Sequence, residues 1–309
     1  MRVVKVTIVG GGGGVGSSTA FNLLIAGAGY EVALVDTRAE MVVSHVMDFD
    51  QVTELFPRSF ARSGTAADIV ESDVVVVSAA APLVVNTSRL VHLQENAVIL
   101  DEIGEHVPAG WPGVVIVATN PVDPLVTRLR AQLGCDRRRI LGYTLNDSLR
   151  LRTGVERALG LAAGTVEAWT LGEHGDSNVP LLDRVSVDGE PLSLSPEQAA
   201  AAVEYARTWY VRHVALDSGR SSTWISGLGL ARMVRSIAED RRERWPASIV
   251  LDGEYGIRGV AISVPVELGE GGAGRIEEWA LQESQLAALR HSADCVRDAL
   301  AELPHRADA

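Results

Sequence analysis

The clearest indication of the fold is the stretch Val3-Val4-Lys5-Val6-Thr7-Ile8-Val9, which is followed by Gly10-Gly11-Gly12-Gly13-Gly14-Val15-Gly16. The valine-rich run predicts a buried strand that ends in a glycine turn. Gly11, Gly13 and Gly16 satisfy the spacing G-x-G-x-x-G, and the residues after them are typical of a helix. Glycines at this spacing permit a tight turn and bring helical N–H groups close to the phosphates of a dinucleotide. The alternative is a purely structural turn, because a run of five glycines matches the pattern easily.

Asp36 strengthens the nucleotide interpretation, since it lies twenty residues after Gly16 at the end of a second valine-rich run. A carboxylate there accepts hydrogen bonds from the ribose hydroxyls of a dinucleotide and repels a 2′-phosphate. NAD is therefore the predicted cofactor rather than NADP, although Arg38 is nearby. Gly14 and Val15 complete the predicted cofactor-binding turn. The position of Gly10, where an apolar strand residue is expected, leaves the backbone of the turn open.

Short apolar runs alternate with helical stretches through the first half of the chain. Continuous valine-rich runs predict strands that are buried on both faces, as in a parallel sheet with crossover helices. We therefore expect an α/β fold, with a doubly wound Rossmann sheet over residues 1–143 and a mixed α+β substrate domain over residues 144–309. The predicted strands of the first half are Val3–Val9, Glu31–Asp36, Val74–Ala79, Ala97–Leu100 and Val114–Ala118.

The second half is less regular. Its predicted elements are a helix at Ser148–Leu159, strands at Thr165–Leu171, Val185–Val187, Ile249–Leu251 and Val260–Val266, a long helical stretch over Pro196–Ala238 that breaks near Gly219, and a terminal helix. In the terminal helix, apolar residues from Leu286 to Leu303 recur every three or four positions, which predicts one buried face.

Bulk properties exclude several classes of protein. The 309 residues carry a formal net charge of −12, which disfavours nucleic acid and anionic membranes as partners. We find no run of the ~20 apolar residues that a membrane span needs. Cys135 and Cys295 are the two cysteines. They have no metal-ligand spacing, so no metal is predicted, and their small number favours a cytoplasmic location.

Three further segments carry candidate chemistry. His174 lies between glycines in Leu171-Gly172-Glu173-His174-Gly175-Asp176-Ser177, a backbone that can present an imidazole into a cleft. Asp147 and Arg150 are three residues apart, which places them on one face of a helix. Thr119-Asn120-Pro121 follows a predicted buried strand at its carboxyl end, where open α/β sheets hold ligands.

With these motifs the sequence resembles the lactate/malate dehydrogenase family of NAD-dependent L-2-hydroxy-acid dehydrogenases nearly end to end. The resemblance implies that His174 is the acid/base and that Asp147 orients it. It also implies that Arg150 holds the substrate carboxylate and that Asn120 hydrogen-bonds near the reacting oxygen. Such roles suit the reduction of a 2-oxo acid, which needs a hydride on carbon and a proton on oxygen.

The segment from Ala80 to Leu90 resembles the loop that closes over the substrate in this family. By this resemblance Arg89 polarises the substrate carbonyl. Leu83 stands where malate dehydrogenases have a second arginine and lactate dehydrogenases a glutamine, and Asn86 replaces the usual glycine. A hydroxyl beside the substrate side chain belongs to Ser222 or Thr223, depending on the register. The remaining residues predicted to line the cofactor are Ala80, Asn96, Thr119 and Asn120.

Leu83 cannot pair with a second carboxylate, so the predicted substrate is a 2-oxo or 2-hydroxy acid with an apolar side chain. Malate dehydrogenase is the alternative enzyme. A non-catalytic NAD-binding protein on the same scaffold is the alternative from another class, and an NAD-dependent glycosidase is disfavoured because neither cysteine lies in the metal-binding context that it needs. The resemblance also implies a homodimer or a homotetramer.

Overall fold

The computed structural model describes residues 2–82 and 89–304, of which residues 89 and 90 are described by backbone alone. Its strands are β1 Val4–Val9, β2 Tyr30–Val35, β3 Phe60–Ser63, β4 Val74–Val77, β5 Val114–Val117, β6 Ile140–Tyr143, β7 Val166–Glu167, β8 Thr170–Leu171, β9 Val179–Pro180, β10 Ser186–Val187, β11 Glu190–Pro191, β12 Glu243–Asp252, β13 Arg258–Gly269 and β14 Gly272–Ile276. Its helices are α1 Gly14–Ile25, α2 Ala39–Leu55, α3 Asp68–Glu71, α4 Arg89–Glu105, α5 Val122–Leu133, α6 Leu145–Leu159, α7 Pro196–Val214, α8 Thr223–Ala238 and α9 Glu283–Ala301.

Among the described residues, nine strands form one sheet in the order β14-β13-β12-β6-β5-β4-β1-β2-β3. The six strands of the first half, β1 to β6, pair in parallel. β1 and β4 lie side by side at the centre, with β2 and β3 beyond β1 and with β5 and β6 beyond β4. The four residues of β4 and of β5 are buried, as expected for valine runs with helices on both faces. The predicted doubly wound fold is confirmed.

The strands of the second half extend the same sheet. β12 pairs with β6 antiparallel through Ala247 with Tyr143 and Ser248 with Gly142, and β13 and β14 continue outward. Gly142 permits this approach, because a Cβ there would lie 2.7 Å from Ser248 Cβ. The division at residue 143 thus falls at the end of β6, where the sheet changes from parallel to antiparallel, and it stays a prediction.

The strand predicted over Ala97–Leu100 is wrong, because these residues lie within helix α4. Leu93, Ala97 and Leu100 are buried whereas Val98 is half exposed, which is the spacing of a helix face and not of a strand. The predicted strand over Thr165–Leu171 is two short strands, β7 and β8. The predicted break near Gly219 is confirmed, since α7 ends at Val214 and α8 begins at Thr223. Strands β3, β6, β9, β11 and β14 were not predicted.

None of the described helices combines the length and the hydropathy needed to cross a membrane.

Candidate active site

The glycine turn joins β1 to α1 and is shaped by Gly10 and Gly16. Gly10 adopts a φ of +90°, and a Cβ there would lie 2.4 Å from the Ala79 nitrogen. A Cβ on Gly16 would lie 2.3 Å from the Gly10 oxygen. Both positions therefore require glycine. The sequence left the backbone at Gly10 open and did not assign this residue to the cofactor turn, because the G-x-G-x-x-G spacing starts at Gly11.

The N-terminus of α1 suits an anion. Its N-cap residue, Gly13, carries no side chain that could cap the helix. The N–H groups of Gly14, Val15 and Gly16 have no partner within the helix, because the first turn of any helix lacks acceptors for them. These N–H groups, together with the positive end of the helix dipole, form the cradle that a pyrophosphate needs.

Asp36 follows β2 and closes the other side of the turn. Its Oδ2 accepts from the Gly12 N–H at 2.9 Å, and its Oδ1 accepts from the Arg38 N–H at 3.0 Å. Burial alone would raise the pKa of Asp36, but the hydrogen bonds from Arg38 and Gly12 outweigh it and the net pKa is lowered. The carboxylate is therefore charged at neutral pH and keeps acceptor sites for ribose hydroxyls. The residues present fit NAD.

The carboxyl ends of β4 and β5 bring the other predicted cofactor residues to the same edge of the sheet. Ala80 and Asn120 are exposed there, while the Thr119 hydroxyl donates to the Ala79 oxygen at 2.7 Å. Asn96 is fully buried. Its amide donates to the Asn120 oxygen and accepts from the Ala81 N–H, both at 2.7 Å. Asn96 thus ties the two strand ends together, and this geometry favours a supporting role over direct contact with the cofactor.

His174, Asp147 and Arg150 come together as the sequence predicts. His174 Nδ1 lies 2.5 Å from Asp147 Oδ2, and Arg150 Nη1 lies 3.4 Å from Asp147 Oδ1. Burial alone would lower the pKa of His174, but the Asp147 carboxylate, through its charge and its hydrogen bond, raises it to a net value above the usual range. The pair can therefore hold a proton on the imidazole near neutral pH. Because Asp147 occupies Nδ1, Nε2 is the ring nitrogen that can exchange a proton with a substrate.

The backbone on both sides of His174 is anchored from distant elements. The Asp123 carboxyl on α5 accepts from the His174 N–H at 2.6 Å. The Ser292 hydroxyl on α9 accepts from the Glu173 N–H at 2.6 Å. Gly172 exchanges two backbone hydrogen bonds with Ser263 on β13, both at 2.9 Å. Neither Asp123 nor Ser292 was assigned a role from the sequence, because only the tertiary fold brings them to this loop.

Helix α7 covers the other side of Arg150. The Arg150 guanidinium lies over the Trp209 ring, 4.5 Å from its centroid, and Trp209 stacks on His213 with centroids 5.0 Å apart. Such stacking fixes the plane of a guanidinium, which sets the direction from which a carboxylate can approach. A small cavity beside Asp147 and Arg150 is lined on this side by Val203, Ala206 and Arg207.

Some predicted residues lie elsewhere or outside the described residues. Thr223 begins α8 and faces the glycine turn, because a Cβ on Gly14 would lie 3.0 Å from its Oγ1. This position leaves Ser222, the N-cap of α8, as the candidate for the substrate side. Leu83 lies outside the described residues, and Arg89 is described only as the first residue of α4. In the described parts of the chain, no three His, Cys, Asp or Glu side chains are grouped to hold a metal ion.

An open α/β sheet with a nucleotide turn, and a buried histidine–carboxylate pair beside a stacked arginine, define an oxidoreductase with a dinucleotide cofactor. Comparisons with known proteins agree. Residues 4–142 match the family described as "lactate/malate dehydrogenase, NAD binding domain", and residues 144–306 match "lactate/malate dehydrogenase, alpha/beta C-terminal domain". The chain belongs to the lactate/malate dehydrogenase family, and the predicted NAD-dependent dehydrogenase activity is confirmed at this level.

Relatives carry both enzyme names. The chain is 32% identical over 305 residues to the malate dehydrogenase of Thermoproteus tenax, covering 97% of this chain and 98% of the relative. It is 31% identical over 316 residues to the L-lactate dehydrogenase of Bacillus velezensis, covering 99% of both. The solved malate dehydrogenase from Aeropyrum pernix superposes with a TM-score of 0.89 at 27% identity, covering 97% of this chain and 98% of that chain.

Proposed function

We propose that this protein interconverts a 2-oxo acid and a 2-hydroxy acid with NAD(H), using His174 as the acid/base. The observation that carries the proposal is the 2.5 Å contact between His174 Nδ1 and Asp147 Oδ2, with Arg150 on the same helix face. Proton transfer to a developing alkoxide needs a group that is protonated near neutral pH, and the raised pKa of His174 meets this need.

Arg150 is the proposed partner of the substrate carboxylate. A guanidinium can bind a carboxylate through two parallel hydrogen bonds, and this pairing fixes the orientation of the carbonyl carbon beside it. The Trp209 ring covers one face of Arg150, so the edge of the guanidinium remains for the substrate. Arg89 is proposed to polarise the substrate carbonyl, and Asn120 to hydrogen-bond near the reacting oxygen.

The glycine turn and Asp36 are proposed to hold NAD, which supplies or accepts the hydride when bound. The N–H groups of Gly14, Val15 and Gly16 would face the pyrophosphate, and Asp36 would accept from the ribose. The remaining proposed cofactor contacts are Gly11, Gly13, Ala80, Thr119 and Asn120, and Asn96 is proposed to support the strand ends that carry them.

The substrate is proposed to carry an apolar side chain, on the strength of Leu83 in the sequence. A second carboxylate left without a counter-charge in a closed site would cost several kcal/mol. Ser222 is the proposed hydroxyl beside the side chain, and the facing of Thr223 toward Gly14 supports this choice of register.

Malate dehydrogenase is the second candidate, and one observation favours it. Arg207 lines the same cavity as Asp147 and Arg150, so a second cation is available from α7 although the loop position holds leucine. The names of the relatives do not discriminate, since both enzymes occur at similar identity.

A panel of 2-oxo acids with NADH separates the two candidates. We expect higher kcat/KM with 2-oxoisocaproate or phenylpyruvate than with oxaloacetate. Leu83→Arg should then raise kcat/KM for oxaloacetate by about tenfold or more, and Arg207→Leu should leave the oxaloacetate value little changed. If oxaloacetate is the best substrate and Arg207→Leu removes that preference, the malate dehydrogenase candidate replaces the first.

A non-catalytic NAD-binding protein would bind NADH and turn over none of these acids. His174→Ala serves as the blank in the panel, because it removes the acid/base and leaves the glycine turn intact.

Assembly into a homodimer or a homotetramer is proposed from an exposed apolar face. Helices α2 and α8 both pack against α1. Exposed apolar side chains on these three helices include Phe21, Met41, Met47, Leu55, Trp224 and Leu228. Several exposed large apolar side chains on neighbouring helices are typical of an interface. Sedimentation of the purified protein tests this proposal.

A cytoplasmic location is proposed from the two unpaired cysteines, Cys135 and Cys295.

A further inference from the structure

Asp123 is a buried carboxyl group directly behind His174. It lies in the first turn of α5, and 1% of its surface is exposed. Its Oδ2 accepts from the His174 main-chain N–H at 2.6 Å, and its Oδ1 accepts from the Ser248 hydroxyl on β12 at 2.5 Å. Both of these donors are neutral. A buried carboxyl held by neutral donors is costly to ionise, so its presence needs a reason beyond packing.

We propose that Asp123 is a positioning residue that fixes the main chain of His174 and whose negative charge, together with that of Asp147, stabilises the protonated imidazole. This inference rests on the proposed function, in which His174 is the acid/base. His174 is then held by two carboxyl groups, with Asp147 at the imidazole Nδ1 and Asp123 at the main-chain N–H. Asp147 sets the orientation of the ring, while Asp123 sets the position of the residue.

The charges around the pair agree with this arrangement. Asp147 and Asp123 raise the pKa of His174, and Arg150 opposes them. For Asp123, burial raises the pKa to about 7, against the lowering effects of the Ser248 hydroxyl, the His174 N–H and the His174 charge, while Glu173 adds to the increase. Asp123 and His174 are electrostatically coupled, so a change in the protonation of one group changes the proton affinity of the other.

Ser292 provides a matched control for the positional part of this role. Its hydroxyl accepts from the Glu173 N–H, one residue before the N–H that Asp123 holds, and it carries no charge. Ser292→Ala therefore removes an anchor of the same loop and keeps the charge at Asp123. Asp123→Asn keeps the anchor and removes the charge, because the amide oxygen can still accept from the His174 N–H.

The test follows the ring protons of His174 by NMR during a pH titration of the cofactor-free protein, with the signal assigned by its loss in His174→Asn. We expect Asp123→Asn to lower the titration midpoint of His174 by about half a pH unit or more. Ser292→Ala should leave that midpoint close to the wild-type value. An unchanged midpoint in Asp123→Asn overturns the proposal, and so does an equal shift in both variants, since geometry alone would then explain it.

A second variant covers the case in which Asp123→Asn does not fold. Ser248→Ala removes one donor from the carboxyl, which raises the pKa of Asp123 and keeps it neutral to higher pH. The His174 midpoint should then decrease in the same direction but by less, and an unchanged or increased midpoint contradicts the proposal. In the enzyme assay, the alkaline limit of 2-oxo-acid reduction should follow the same order of variants. If the wild type reduces no 2-oxo acid, the proposed function fails, whereas the NMR titration still decides the placement of Asp123.

Discussion

The glycine turn and the His174 loop are held in opposite ways. The turn is built from residues close in sequence, and its contacts come from the ends of the neighbouring strands β2 and β4. The His174 loop is anchored by α5, α6, α9 and β13, whose residues lie between 27 and 118 positions away from His174. The glycine turn therefore lies within the parallel half of the sheet, with Thr223 of α8 as a neighbour of Gly14. The His174 loop is anchored by elements from both halves of the chain.

This difference separates two kinds of damage. A change in the glycine turn should weaken cofactor binding and leave the titration of His174 intact. A change around His174 should alter catalysis and its pH dependence and leave NADH binding intact. The predictions below test this separation, beginning with the largest effect.

Removal of the imidazole should have the largest effect. His174→Asn is expected to lower kcat for 2-oxo-acid reduction by about 10³-fold or more, because the asparagine amide cannot replace the imidazole as the proton donor. The dissociation constant for NADH, measured by fluorescence, should change by less than about twofold. Weaker NADH binding in this variant would show that the two regions are not separate.

Loss of the Asp147 charge should lower activity and move its pH profile. In Asp147→Asn, burial is no longer opposed by the carboxylate, so the pKa of His174 decreases. Because reduction needs the protonated imidazole, the alkaline limit of kcat/KM should move to lower pH, with kcat lower by about 10²-fold at neutral pH. A profile that keeps the wild-type midpoint would mean that Asp147 does not set the charge of His174.

A methyl group at Gly16 should damage the other region. In Gly16→Ala the new Cβ meets the Gly10 oxygen, at 2.3 Å in the present backbone, so the turn must shift. We expect NADH to bind about tenfold more weakly, while the His174 titration stays unchanged. Gly13→Ala in the same turn should weaken NADH binding by less, since its Cβ would lie 3.3 Å from the same oxygen and its φ of −84° is open to alanine. Equal losses in both variants would contradict the assignment of the close approach to Gly16.

The smallest effect concerns stability. Asp123 has a pKa of about 7 in the folded protein and an ordinary one when unfolded, so between these values the folded state binds more protons. The wild type therefore loses stability as pH increases from about 4 to 7, by a few kcal/mol at most. Asp123→Asn does not lose stability in this way, because its amide does not ionise. Its Tm relative to the wild type should rise by several degrees between pH 5 and pH 8. A constant Tm difference across this range would contradict the raised pKa.

The sequence predicts the local parts of the molecule well. Strands β1, β2, β4 and β5 lie within two residues of their predicted bounds, because valine-rich runs buried on both faces carry their own signal. The same rule produced the wrong strand over Ala97–Leu100, which is an apolar run but lies in helix α4. An apolar run of four residues is ambiguous between a buried strand and the inner face of a helix, and only the burial of Leu93, Ala97 and Leu100 along α4 resolves it.

The site divides along the same line. His174, Asp147 and Arg150 were predicted, since each belongs to a short motif, and the structure brings them together. Asp123 and Trp209 were not, although both touch that site. Asp123 belongs to the same segment as Asn120 and Pro121, Thr119-Asn120-Pro121-Val122-Asp123-Pro124, but the sequence assigned it no role. Nothing in the local sequence indicates that its carboxyl accepts from the His174 backbone, 51 residues away.

The most direct test of the central claim is the transfer of deuterium from NADH labelled at nicotinamide carbon 4 to a 2-oxo acid, followed by mass spectrometry of the product. We expect the wild type to form a 2-hydroxy acid with deuterium at carbon 2 when the transferred face is labelled. We expect His174→Asn to form almost none while it still binds NADH. Tight binding of NADH by the wild type, without label in the product from any 2-oxo acid of the panel, would contradict the central claim.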